Sequence, residues 1–218
     1  MIIDIVSDAI CPWCYIGKRR LERALAMAPQ SVLQVGWRPF QLNPDMPVEG
    51  MERQEYLRRK FGDRAGGNMY EAVKEAGREE GIPFAFERIR RTPNTLLAHR
   101  LIAFARRENR QDEAVEALFR GYFTAGADIG RIDTLAELVE PVGLDPGRVR
   151  AYLESDEDLA SIKAEDQFAR QIGIQGVPCF IIDRKYALSG AQPPEAFLEV
   201  FELAKKEAAS TEASVDIV

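Results

Sequence analysis

A short apolar run at Ile2, Ile3, Ile5 and Val6 predicts a buried strand at the start of the chain. The spacing then changes: Cys14, Leu21, Ala24, Leu25 and Ala28 recur on one face at helical intervals, and Pro29 stops the helix. Alternation returns over residues 32–38, where Leu33, Val35 and Trp37 face one way, so the chain opens as strand, helix, strand.

Through the middle of the chain no strand is predicted, and amphipathic stripes follow one another. Tyr56, Leu57 and Phe61 mark one helix, and Met69, Val73 and Ala76 another that Gly81 ends. Thr92-Pro93-Asn94 starts a third carrying Leu97, Leu101, Phe104 and Ala105, and Val115, Leu118, Phe119, Tyr122 and Phe123 make a fourth. Asp133 is the expected cap of a fifth, with Leu135, Leu138, Val139 and Val142 before Gly143. Asp145-Pro146 opens a short sixth with Val149, Tyr152 and Leu153.

A further helix over residues 157–172 turns Leu159, Ile162, Ala169 and Ile172 inward, and Gly173 ends it before Ile174-Gln175-Gly176-Val177-Pro178. Cys179–Ile182 reads as a buried strand, residues 183–185 as a turn, and Tyr186–Leu188 as the strand that pairs back. Pro193-Pro194 starts a last helix with Phe197, Leu198, Phe201 and Ala204 on its inner face. From Ala208 onward the chain is small and polar and is expected to be loosely held. The order β-α-β, helical insertion, α-β-β-α predicts an α/β protein whose sheet is assembled from two separated segments.

With 218 residues, 46% of them hydrophobic, there is material for a real core in one large domain or one domain with an insertion. A net charge of −6 argues against a broad basic face, so nucleic acid is not an expected partner. No apolar run approaches the ~20 residues of a bilayer span, so neither is a membrane. The chain opens directly into a strand without the features of a signal peptide, which makes the cytoplasm the expected compartment. Two local basic clusters, Lys18, Arg19, Arg20 and Arg23, and Arg88, Arg90 and Arg91, are read as solvated faces, with an anion or acidic-substrate site as the other reading.

The three cysteines are too few for a disulfide framework, yet Cys11 and Cys14 form a Cys-x-x-Cys pair at the seam between the first strand and its helix. Unpaired amides and the macrodipole at a helix N-terminus favour a thiolate at Cys11, the nucleophile, while Cys14, one turn inside on the packed face, is the resolving thiol. Pro12 suits the first helical position, and Pro12 and Trp13 lie between the sulfurs, where they tune the stability of the reduced form. The same spacing is also half a zinc site, with Cys179 and the single histidine, His99, as formal further ligands; no metal is expected. His99 lies off the stripe of Leu97 and Leu101 and is either a structural histidine or an acid–base group. Asp4 and Asp8 precede the dithiol; a carboxylate there would disfavour a nearby thiolate or relay the proton leaving Cys14, but a cap in a solvated turn is the favoured reading of Asp8.

Cys11-Pro12-Trp13-Cys14-Tyr15-Ile16-Gly17-Lys18-Arg19, Trp37-Arg38-Pro39-Phe40-Gln41-Leu42-Asn43-Pro44, Arg91-Thr92-Pro93-Asn94-Thr95, Gly176-Val177-Pro178 and Leu188-Ser189-Gly190-Ala191-Gln192 together resemble the FrnE-like branch of the DsbA family. The resemblance spans nearly the whole chain. It implies a thioredoxin-like fold with a large all-helical insertion: a first part at 1–42, the insertion at 43–155, a second part at 156–209, and a tail at 210–218. It also implies a cis Val177–Pro178 peptide facing the dithiol, with the Val177 backbone pairing with a bound polypeptide. Asn94 and Thr95 would then line the cleft, and Phe40, Leu42 and Trp13 would give it apolar walls. Cys179 departs from the expected hydrophobic or hydroxyl residue after the proline. It is either an extra thiol beside the site, open to a wrong or regulatory disulfide or to metal, or a small buried hydrophobe starting a strand.

The activity this implies is thiol–disulfide exchange. No tightly bound cofactor is expected, and glutathione is a candidate reductant. The partners would be a disulfide-containing polypeptide or small-molecule thiol substrate and a recycling reductase or glutathione. An oxidant in a reducing cytosol would need an explanation, so reductase or isomerase behaviour is favoured. One alternative is a glutathione-dependent isomerase or transferase, since kappa-class glutathione transferases and 2-hydroxychromene-2-carboxylate isomerases resemble the same fold. Those relatives typically carry serine at the position matching Cys11. A polypeptide-binding holdase is the non-enzymatic alternative.

Overall fold

Ile3 and Ile5 turn to one side of the first strand, β1 (Ile2–Ser7), and Val6 to the other, so the sheet built on it has two faces to cover. The computed structural model describes residues 1–28, 34–62 and 70–215, with side chains through residue 207. β1 pairs in parallel with β2 (Gln34–Pro39), Ile5 opposite Trp37. The central stretch, where no strand is predicted, holds two short ones, β3 (Met51–Glu52) and β4 (Arg91–Thr92), which pair with each other away from the main sheet. On its other side β1 pairs antiparallel with β5 (Cys179–Ile182), which pairs antiparallel with β6 (Tyr186–Ser189), giving the order β2-β1-β5-β6.

The first helix, α1 (Pro12–Met27), covers the Ile3 and Ile5 face. The insertion supplies α2 (Arg53–Phe61), α3 (Glu71–Glu79), α4 (Leu96–Arg107), α5 (Gln111–Arg120), α6 (Ile132–Val139) and α7 (Pro146–Glu154). The chain then returns through α8 (Leu159–Gln171) to the sheet and finishes with α9 (Pro194–Val215). α9 lies beside α1, and Phe197 meets Phe180 of β5 edge to face, ring centroids 4.8 Å apart. The opposite face is closed by α8, where Ala169 packs with Val6, Phe40 and Cys179 in a second, smaller core. A mixed sheet interrupted by a helical insertion is the arrangement that the resemblance implies.

Several sequence expectations shift. The β3–β4 ladder has too few residues to show a period, and it takes Thr92 into a strand, so α4 begins later, at Leu96 after Thr95. Asp133 lies inside the first turn of α6 rather than at its cap, and its carboxylate pairs with Arg150 at 2.9 Å. Asp145 does cap α7, accepting from the Arg148 backbone N–H at 2.7 Å. The stripe ending in Tyr122 and Phe123 passes from α5 into one π turn, Gly121–Ala125, which keeps both rings buried. Ile172, expected inward, is exposed, because α8 ends at Gln171 and Ile172 caps it. α9 continues as helix to Val215, into the stretch from Ala208 onward expected to be loosely held. Pro29, Val32, Leu33, Met69 and the last three residues of that tail, 216–218, lie outside the described residues.

The basic cluster on α1 is not a solvated face. Lys18 is buried, with its ammonium against Glu22, Asp112 and Glu116. Burial works against that charge, but Asp112 and Glu22 outweigh it and hold Lys18 above the usual lysine range. Arg19 joins Glu22 and Glu116, and Arg20 and Arg23 join Glu80, so the cluster ties α1 to α5 and to the end of α3.

One buried cation joins the insertion to the returning chain. The Arg100 guanidinium of α4 donates to the carbonyls of Leu153, Tyr152, Ser155 and Glu157, at 3.0, 2.8, 2.8 and 3.0 Å, across the junction of α7 and α8. Arg100→Met removes all four of these donations from a buried junction and is expected to cost about 2–4 kcal/mol. In a chain of this size that lowers Tm by roughly 4–16 °C, measurable by circular dichroism.

Candidate active site

β1 runs into a tight turn before α1, where the backbone N–H of Cys11 donates to the Asp8 carbonyl at 3.0 Å. Cys11 is the N-cap of α1 with extended backbone, and Pro12 occupies the first turn, where its missing N–H costs nothing. The first turn has no acidic residue and no side-chain cap, so its amides are left to the residue at the cap. Cys14 lies one turn inside. Both thiols are covered, Cys11 at 4% and Cys14 at 1% exposure, while Trp13 between them is 38% exposed.

The cover over Cys11 comes from far along the chain. β5 runs antiparallel to β1 with Val6 opposite Cys179, so the loop entering β5 lies beside the turn leaving β1. The Cys11 Sγ–H is 3.5 Å from the Val177 carbonyl, to which it donates, and the Val177–Pro178 peptide is cis. Gly17 permits this approach: a Cβ there would stand 3.0 Å from both Pro178 Cγ and Phe180 Cζ. Gly17 carries no role in the sequence reading, although an isolated glycine inside a helical stripe is itself a sign of close packing. Tyr15 adds a second anchor, stacked on Phe119 at 5.0 Å with its hydroxyl donating to Glu116 at 2.8 Å.

Cys14 is pushed well above the usual thiol range. Burial is the largest cause, followed by the hydrogen bond to Cys11 and the Cys11 charge; the Asp8 backbone N–H works the other way, and the Asp8 carboxylate adds to the rise. Cys14 is therefore a protonated thiol near neutral pH.

Asp8 is not in a solvated turn, because the β2 segment closes over it and leaves it 0% exposed. Its carboxylate accepts from the Leu42 N–H at 2.7 Å and the Ile10 N–H at 3.5 Å, and Oδ1 faces His99 Nε2 at 3.6 Å. His99 is 2% exposed. Asp4 is paired with Arg38 at 2.8 Å on the α8 side of the sheet.

The other expected cleft residues serve packing. Phe40 is buried in the second core under the Arg170 guanidinium, 4.1 Å from its ring centroid. Asn94 accepts from Gln41 Nε2 at 3.2 Å and from the Leu96 N–H at 3.0 Å and donates to the Met46 carbonyl at 2.6 Å, which engages its amide within the fold. Thr95 is buried beside Gln41 and presents no surface to a substrate. Leu42 and Val177 are partly buried against both cores. Cys179 packs with Val6, Phe40 and Ala169 on the α8 face, opposite the side where Phe180 meets α1 and α9, and burial raises its thiol. The four formal zinc ligands are thus not brought together, and among the described residues no group of three or more histidine, cysteine or acidic side chains is placed to hold a metal.

Known proteins give the same picture at the level of the family. A model of the DSBA-like thioredoxin domain matches residues 2–202. The crystal structure of the probable DsbA oxidoreductase SCO1869 from Streptomyces coelicolor is 32% identical, with a TM-score of 0.86 over 95% of this chain and 91% of that one. The cytosolic disulfide reductase DsbM from Pseudomonas aeruginosa, determined with GSH, is 18% identical, with a TM-score of 0.65 over 92% of this chain and 98% of that one. The uncharacterized protein YwbO of Bacillus subtilis (strain 168) is 28% identical over 83% of this chain and 86% of its own length.

Gly17→Ala is expected to cost about 1–3 kcal/mol in chemical denaturation, because the added methyl wedges α1 from the Val177–Pro178 loop. Asp8→Asn removes a charge that raises Cys14. In a Cys11→Ser background it should speed alkylation of Cys14 at fixed pH by a factor on the order of a few, followed by mass spectrometry.

Proposed function

Since this chain belongs to the DSBA-like thioredoxin domain family, we propose that it is a thiol–disulfide oxidoreductase working through Cys11 and Cys14. The observation that carries this reading is the seating of Cys11 Sγ against the Val177 carbonyl at the helix cap, with Cys14 behind it as a protonated thiol. In the first step the Cys11 thiolate attacks a substrate disulfide, forming a mixed disulfide and releasing one substrate sulfur. In the second, Cys14 loses its proton and attacks Cys11, which frees the other substrate sulfur and leaves a Cys11–Cys14 disulfide. The same steps in reverse oxidise a dithiol.

The substrate is a disulfide held in extended polypeptide, with the Val177 backbone as the edge it pairs with and the exposed ring of Trp13 beside the sulfurs. A small-molecule disulfide would meet the same sulfur. We place the chain in the FrnE-like branch on its Cys-Pro-Trp-Cys-Tyr-Ile-Gly-Lys and Trp-Arg-Pro-Phe-Gln-Leu-Asn-Pro segments. We place its work in the cytoplasm, running as reductase or isomerase with glutathione or a reductase restoring the dithiol; the likeness to a cytosolic disulfide reductase determined with GSH favours that direction. Among the described residues no helix is long and apolar enough to cross a membrane. Retention of both cysteines weighs against the isomerase or transferase relatives, which typically carry serine at the first position.

Insulin reduction with dithiothreitol or glutathione tests the reading. The wild type should accelerate precipitation of the insulin B chain, Cys11→Ser should fall to the uncatalysed rate, and Cys14→Ala should accumulate a mixed disulfide visible by mass spectrometry. Equal turnover by wild type and Cys11→Ser would defeat it. Suppressed aggregation retained by Cys11→Ser would separate a chaperone role from the chemistry.

A further inference from the structure

Exchange at Cys11 and Cys14 leaves two buried groups without a task. Asp8 and His99 face each other behind the dithiol, and His99 Nε2 is fully buried without a hydrogen-bond partner, 3.6 Å from Asp8 Oδ1. That separation is short for an ion pair and just beyond a hydrogen bond. An unpartnered ring nitrogen in a core costs stability, so its retention here needs a reason.

The second observation is a cavity that the histidine lines. His99 borders a cavity of about 30 Å³ under β2, whose other polar walls are Ser7, Arg38, Gln111, Arg106 and Glu165. Its volume admits about two water molecules, and Arg106 and Glu165 carry its wall to the protein surface. Asp8, in the turn whose carbonyl accepts from the Cys11 N–H, is thus connected through His99 to a polar cavity that reaches the exterior. The connection follows a line that neither thiol, both covered by the loop and α1, offers by itself.

We propose that His99 is the outer stage of a proton path for Cys14, exchanging the proton of Asp8 with the cavity beneath β2. The proposal rests on the oxidoreductase reading. In the resolving step the Cys14 Sγ–Cys11 Sγ bond forms and the bond from Cys11 to the substrate sulfur breaks, the substrate sulfur leaving as thiolate with the electron pair. The Cys14 proton passes to the Asp8 carboxylate and on to His99 Nε2, and the imidazolium releases a proton from its other nitrogen to the cavity. In the reverse reaction the path delivers the proton that Cys14 regains. His99 touches no reacting sulfur and is a positioning residue acting through Asp8. The titratable and charged groups around the pair and its cavity are Cys14 from α1, Arg38 from β2, Arg106 from its own helix and Glu165 from α8; Arg38 is itself held by Asp4 at 2.8 Å and Glu165 at 3.6 Å. Gln111 from α5 is uncharged.

Stopped-flow reaction of the reduced protein with a symmetrical nitroaryl disulfide tests this, since attack by Cys11 and resolution by Cys14 each release one chromophore in separate phases. His99→Gln and His99→Phe should leave the first phase unchanged and slow the second about tenfold or more, with a flattened dependence of that phase on pH. In the wild type, the ring-nitrogen NMR shifts of His99 should change between the oxidised and reduced protein, a signature that a structural role would not give. An unaltered second phase in His99→Gln overturns the path, as do ring shifts that ignore the redox state. A wild type with no first phase sinks the exchange reading itself, whereas a normal first phase with an unaltered second sinks the proton path alone.

Discussion

The fold depends on how closely the start of α1 and the loop before β5 can approach. β1 and β5 are neighbours running in opposite directions, so the turn that leaves one and the loop that enters the other share an edge of the sheet. Side chains decide whether they touch. Gly17 leaves room where any other residue would press on Pro178 and Phe180, and that room lets the Val177 carbonyl reach Cys11 Sγ. A thiol that would otherwise open to solvent at the helix cap is instead fixed against a backbone edge.

The polar groups behind this contact are arranged to be nearly, though not wholly, satisfied. Asp8 is buried with two backbone donors, and the neighbouring Gln41 is clamped by Asp166, which accepts from its N–H at 2.8 Å, and by Arg170, which donates to its carbonyl at 2.5 Å. These bonds hold the segment after β2 over the dithiol, so burying the carboxylate does not strand it. The cost falls on Cys14, whose thiol is held protonated by burial and by its charged neighbours. The two sulfurs thereby differ in readiness although they belong to the same turn of the same helix.

The helical insertion joins this arrangement through α4. Arg100 clamps the junction of α7 and α8, and the preceding residue, His99, reaches under the dithiol toward Asp8. Adjacent positions on a helix point about a quarter-turn or more apart, so one helix can brace the returning chain with one side chain and address the site with the next. The ion pairs of Lys18 and Arg19 with Glu116 fasten α5 to α1 in the same way, and the insertion and the sheet share the helix that carries the thiols.

Much of this was legible from residue order alone. Local periodicity determined the strands of the main sheet, most of the helices, the Cys-x-x-Cys pair at a helix start and the proline before β5, because each is a short-range pattern that secondary structure imposes on neighbours. The β3–β4 ladder and the true start of α4 were not legible, since each turns on one or two residues whose partners lie elsewhere. The roles of individual polar residues were decided by tertiary structure. Asp8 reads in sequence as a turn residue and is buried only because the segment after β2 closes over it; Lys18 reads as a surface charge and is buried because α5 brings acids to meet it. Phe40, Asn94 and Thr95 sit in motif segments yet spend their contacts on packing, and Cys179 follows the proline yet faces away from the thiols. A side chain's chemistry travels with the sequence, but its solvent, its partners and the face it presents are set by residues far away in the chain.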